Sequence, residues 1–278
     1  MHFLKAAALL VSAAVSVSAL AAGNTTHDDF RETKKMLERK VYFDHRVTLY
    51  CGYTFDRDKN VSLPEGFRAP EHEERAGKVE WEHVVPVERF GPHFSAWTRG
   101  SGECIKDGRR YRGRRCANKA SQEFRYIQSD MYNLFPAVGA VNASRGHLAY
   151  DEIPGDRPSF GTCRMEIRGD RAEPPSESRG RIARAMLYMA ETYPEAYRIT
   201  KHERSLAEKW NELYPVDQWE CTRASRIAAL QGNENRFVAE ACRAKGLAYI
   251  GLTNNGRKSS ETGGKSGAKG GLLSELLK

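Results

Sequence analysis

The chain has 278 residues, 40% hydrophobic and 29% charged, with a formal net charge of +8. Beyond its first two dozen residues no stretch is apolar enough to span a bilayer as a helix. Without Lys5 and the basic C-terminal tail the net charge falls to about +4. Bulk charge therefore says little, and the position of the charge has to carry the argument.

The first segment reads as an export leader. Lys5 supplies a positive start, residues 6–17 are a short apolar run, and Ala19-Leu20-Ala21 offers a small-x-small cleavage pattern. The run is too short, and too interrupted by Ser12, Ser16 and Ser18, for a membrane helix. Residues 28–40 then predict a helix, with Phe30, Leu37 and Val41 on one face. The alternation of Val47, Leu49 and Cys51 predicts a strand over 46–55. Residues 60–74 are polar and Pro-bearing and predict a loop, and 79–85 predict a second strand stopped by Pro86.

Between 99 and 119 lie eight basic residues against Glu103 and Asp107, a local net charge of +6. This predicts a disulfide-pinned loop whose GRRYRGRRC run suits a phosphate backbone better than a membrane surface. Pro136 is expected to open a helix running through Asn142. A short strand is expected over 162–168, followed by helices at 181–193, from Thr200 through Leu213, from Asp217 to Gly232, and over 235–245. Met and aromatic residues at helical spacing along them read as core. Residues 253–278 shift to Gly, Ser, Lys and Thr, too polar to offset chain entropy, and predict a disordered tail.

Six cysteines, with no metal-ligand spacing, point to three disulfides in an oxidising compartment. Short bracketed segments favour Cys104 with Cys116 and Cys221 with Cys242, leaving Cys51 with Cys163 as a long-range tie.

Two lines carry chemistry. In KVEWEHVVPVERFG, at 78–91, Glu82 and His83 are adjacent at a strand end. The carboxylate is a hard oxygen ligand suited to a magnesium-like ion, and the imidazole can take a proton from water near neutral pH. In DMYNLFPAVGAVNASR, at 130–145, Asn133 precedes the predicted helix and Asn142 lies within it. An amide there is mildly unfavourable, and its carbonyl oxygen could complete an oxygen site with Glu82.

With these lines the sequence resembles the endonuclease I family of bacterial secreted or periplasmic nucleases. The matching stretches are DHRVTLYCG (44–52), VEWEHVVP (79–86), NLFPAVGAVN (133–142), RGRIARAMLYM (179–189), WNELYPVDQWEC (210–221) and QGNENRFV (231–238). The resemblance implies an α+β fold: a ββα-metal (His-Me finger) core in a mostly helical, disulfide-stabilised single domain at 22–252, between a signal peptide at 1–21 and the tail. It implies His83 as general base, Glu82 and Asn142 as ligands of magnesium, with manganese fitting the same site, and Arg114 as the transition-state arginine, with Arg115 the near alternative. Residues 105–112 look like an insertion, and Gln128 stands where related sequences can carry glutamate. His45 matches a family motif outside the catalytic pair and reads as structural. The expected activity is metal-dependent, non-specific endonucleolytic hydrolysis of DNA, extending to RNA, to 5′-phosphate ends by a monomer held mainly through phosphates. The alternatives are an exported, non-catalytic module binding DNA or other polyanions through the basic loop, and a zinc phosphoesterase, for which no His/Cys set has ligand spacing.

Overall fold

The computed structural model describes residues 23–252; the expected leader at 1–21 and tail at 253–278 lie outside them. Helix α1 (Phe30–Met36) is opened by Asp29, whose side chain accepts from the N–H groups of Arg31 and Glu32. It runs on through a π-helical turn, Leu37–Val41, that sinks Leu37 and Val41 into the core. The helix expected at 28–40 is therefore present.

The strand expected at 46–55 is absent. The chain turns at 49–51, and Gly52, with φ +67°, lets Val47 bridge back to Thr54. The Thr48 hydroxyl accepts from the Tyr53 N–H and holds the reversal. The alternation that suggested a strand serves a docked turn: Leu49 and Tyr50 bury, and Cys51 bonds to Cys163.

Strand β1 (Val79–His83) stops two residues short of the expected end. There Asn133 takes over: its backbone carbonyl accepts from Val84, its side-chain oxygen accepts from Val85 N–H, and its amide donates to the Val85 carbonyl. A long excursion follows, with α2 (Val87–Phe90), α3 (Ser95–Thr98), a hairpin of β2 (Ile105–Lys106) and β3 (Arg109–Arg110), α4 (Arg114–Ala120) and α5 (Gln122–Gln128). The block expected as one loop is thus a hairpin running into a helix, joined by the Cys104–Cys116 bond.

The chain returns as β4 (Leu134–Val138), antiparallel to β1 with His83 opposite Leu134 and Val79 opposite Val138. Pro136 therefore sits in a strand, not at a helix start. It is tolerated because the pair is only two strands wide and its carbonyl, not an N–H, meets the Leu49 N–H. Helix α6 (Gly139–Arg145) begins three residues later. A Cβ on Gly139 would lie 2.4 Å from the Arg75 carbonyl oxygen, so only glycine permits that approach.

A small sheet of order β5-β7-β6 follows, from Ala149–Tyr150, Arg171–Glu173 and Glu166–Arg168. Only the last three residues of the strand expected at 162–168 are extended, because the preceding turn is tied down at Cys163. Helices α7 (Ser176–Thr192), α8 (Lys201–Leu213), α9 (Gln218–Gln231) and α10 (Arg236–Ala244) form the helical mass of the domain. The expected Thr200–Glu203 capping box is formed, and α7 starts five residues earlier than its apolar spacing suggested. Its core-facing Arg184 is paired with Glu220 of α9 through two bonds of 2.8 and 2.6 Å, as burial of two charges requires. Buried Asp130 accepts from Tyr188 and Tyr193 of the α7 region and from Gln231 of α9, anchoring the turn that leads into β4.

All three disulfides have the expected partners: Cys51–Cys163, Cys104–Cys116 and Cys221–Cys242. Among the described residues no helix is long and apolar enough to cross a membrane.

Candidate active site

Strand β1 and helices α2, α4 and α6 contribute to a cleft lined by Glu82, His83, Arg114 and Asn142, so the structure brings together all four residues singled out from sequence. They come from β1, the start of α4 and the middle of α6.

His83 is buried, and its Nε2 lies 2.8 Å from the backbone carbonyl oxygen of Gln128. A carbonyl can only accept, so in the neutral ring this contact places the proton on Nε2 and leaves the Nδ1 lone pair free. Burial and the nearby Arg114 charge lower the imidazole pKa to about 3, so the ring is uncharged at neutral pH. Phe30 of α1 stacks on it with centroids 5.0 Å apart, fixing the ring plane.

Glu82 is buried and lines the same cleft. Its Oε1 accepts from the Tyr50 hydroxyl at 2.5 Å and from Arg145 at 2.6 Å; among the described residues Oε2 has no hydrogen-bond partner. Burial pushes this carboxyl upward, and the charge of Arg145 and the Tyr50 bond oppose that rise. Arg145, itself buried, also donates to the carbonyls of His83 and Val84 and lies over the Tyr150 ring, which ties α6 to the end of β1.

Asn142 donates its amide to Glu80 Oε2 at 2.8 Å. Because a carboxylate accepts and does not donate, the amide is oriented with its carbonyl oxygen free for the cleft. Burial would raise the Glu80 carboxyl, but Arg75 and Asn142 outweigh it and hold it below the usual range. Arg114 lies over Phe30 and donates from Nε to the Gln128 side chain at 2.9 Å, while Gln128 in turn donates to Asn118. Arg115, the near alternative, instead stands over Tyr111 and lines the adjoining groove rather than this cleft.

Two residues were not assigned to the site from the sequence. Gln128 holds His83 by its backbone and Arg114 by its side chain, and nothing in its side-chain type could announce the first contact. Glu80 did leave a signal, since it lies two residues from Glu82 and so on the same side of the strand. Of the remaining histidines, His147 borders the cleft, and His45 stacks on Trp219 at 4.0 Å, well away from these residues.

The cleft suits a hard cation: two free oxygens of different type, one charged and one neutral, border it. Among the described residues no group of three or more His, Cys, Asp or Glu gathers, so an ion held here would keep most of its water, as magnesium does. Away from the cleft the groove continues past Arg31, Lys34 and Arg115 on one side, giving a basic track beside the free Nδ1.

The family profile described as Endonuclease I matches residues 31–242. An extracellular deoxyribonuclease of Aeromonas hydrophila is 38% identical over 220 residues, covering 77% of this chain and 89% of the relative. A periplasmic deoxyribonuclease of the same organism is 37% identical over 220 residues, covering 77% and 86%. Endonuclease-1 of Buchnera aphidicola subsp. Baizongia pistaciae is 32% identical over 225 residues, covering 78% and 85%.

Proposed function

The chain belongs to the endonuclease I family and is a hydrolytic nuclease, and from that premise we propose that it is an exported, metal-dependent endonuclease that cuts DNA, and RNA by the same chemistry, to 5′-phosphate ends. The observation that carries the reading is the meeting of His83, Glu82, Asn142 and Arg114 in one cleft, where among the described residues the His83 Nδ1 has no hydrogen-bond partner.

On this reading β1, β4 and α6 are a ββα-metal core. Glu82 and Asn142 would hold a magnesium or manganese ion through their free oxygens. Bound there, such an ion supplies Lewis-acid stabilisation of charge on the phosphate oxygens. His83 accepts the proton of the attacking water at Nδ1, while its Nε2–H stays on the Gln128 carbonyl and keeps the ring aimed. A docked phosphodiester brings negative charge against the imidazole, which raises its proton affinity from the low value of the free protein. Arg114, steadied by Gln128, meets the charge that grows on the phosphate as the bond breaks. None of these groups reads a base edge, so sequence preference is weak and binding is salt-sensitive. Export is supported by the leader-like first residues, three disulfides and the extracellular and periplasmic names of the relatives.

The test is plasmid cleavage by the oxidised protein with magnesium, with chelator, and with His83→Ala. Cleavage should require the ion and fall at least about a hundredfold in the variant, the loss expected for a general base. A variant that cuts at the wild-type rate removes His83 from the mechanism. Retention of DNA with no cutting under any condition would leave a binding module only.

A further inference from the structure

The hairpin β2–β3 takes no part in the cleft just described, yet it concentrates charge in an unusual way. Lys106 and Arg109 are direct cross-strand partners, and Arg110 stands opposite Ile105. All three basic side chains are exposed, and among the described residues none is held by an ion pair or side-chain hydrogen bond. Like charges facing each other across a strand pair are destabilising. A merely solvated loop has no reason to keep that arrangement; an anionic partner would relieve it.

The hairpin is also stiff. Asp107 and Gly108 at its tip have φ +50° and +72°, the pair of left-handed residues that a tight two-residue turn needs to match strand twist. At its base Tyr111 N–H donates to the Cys104 carbonyl at 2.8 Å, and Cys104 is bonded to Cys116 of α4. A two-stranded ribbon alone is marginal in water, and this staple supplies the missing restraint. The same helix begins with Arg114 of the cleft. Four residues span at most about 14 Å, so Arg110 lies within that distance of Arg114. On a duplex rising about 3.4 Å per base pair, that is roughly four base pairs from the cleft.

We propose that the β2–β3 ribbon, through Lys106, Arg109 and Arg110, grips a groove of double-stranded nucleic acid beside the scissile bond and makes duplex the preferred substrate form. This rests on the nuclease reading and deepens it. A two-stranded β-ribbon fits a major groove about 12 Å wide, where its exposed cations reach phosphates of both strands. A single strand offers no such groove.

The experiment compares wild type with the triple variant Lys106→Ala/Arg109→Ala/Arg110→Ala, and with Lys106→Ala and Arg109→Ala singly. Binding to a labelled 30-base-pair duplex and to one of its single strands is read by fluorescence anisotropy in chelator across a salt series; cleavage is then read in magnesium. The triple variant should weaken duplex binding at least tenfold and flatten the log Kd against log salt slope by roughly 2.7, about 0.9 for each phosphate that is no longer neutralised. Single-strand binding should change less than threefold, and each single variant should take a share of the duplex loss. Equal losses on both forms, or an unchanged duplex Kd in natively melting variants, overturn the proposal while cleavage by wild type still upholds the nuclease. Selective loss of duplex binding in a protein that never cuts upholds the ribbon and sinks the nuclease reading instead.

Discussion

Asn142 can offer an oxygen to the cleft because Glu80 takes its N–H. Under the proposed metal-binding role, such an outer partner orients the donor without touching the ion, and loss of one commonly costs ten- to a hundredfold in metal affinity. Glu80→Ala should therefore raise the magnesium concentration for half-maximal cleavage by about that factor while saturating magnesium restores most of the rate. An unchanged magnesium titration would show that the amide is held by something else. Glu82, His83 and Asn142 were legible as residue types because a carboxylate beside an imidazole and an amide inside a helix are chemically conspicuous, whereas Arg114 was picked out by the family resemblance. The Gln128 carbonyl that holds the His83 ring was not legible, since every residue has one and only the fold decides which meets the ring.

At the scale of elements, the buried side chain of Arg145 fastens α6 to the end of β1. Arg145 satisfies Glu82 and the last carbonyls of the strand at once. Replacing it with Met keeps the length but leaves the Glu82 carboxylate buried and unpaired, which costs about 3–5 kcal/mol. Denaturant unfolding of Arg145→Met should show a loss of that size; a loss under about 1 kcal/mol would mean the carboxylate is relieved by water or protonation. Elements differed in how openly the sequence declared them. Helices α8, α9 and α10 carry caps and stops and were readable to within a residue or two. Strand β4 was not, because LFPAV is buried at every position and so shows no alternation, while Pro136 mimicked a helix start. Strand β5, of two residues, exists only through its pairing with β7, distant in the chain. The turn at 49–51 borrowed the pattern of a strand for docking contacts.

For the whole molecule, the Cys51–Cys163 bond closes a loop spanning 112 positions and joins the turn that bears Tyr50 to the segment between β5 and β6. A cross-link over a loop of that length is worth on the order of 4–5 kcal/mol in the chain-entropy view, and removing a native one typically costs about 2–5 kcal/mol. Cys51→Ser/Cys163→Ser should lose that much in denaturant unfolding, and a variant as stable as wild type would make the bond incidental. The separation of β1 from α6 has a different consequence, one of timing. Arg145 must reach back 63 positions to Glu82, and β4 must arrive before β1 has a neighbour. A growing chain displaying only its first hundred residues thus owns the histidine and the glutamate but no strand partner, no amide oxygen and no aligned imidazole. The cleft therefore forms late, after the whole interval between the two strands has been made and folded back.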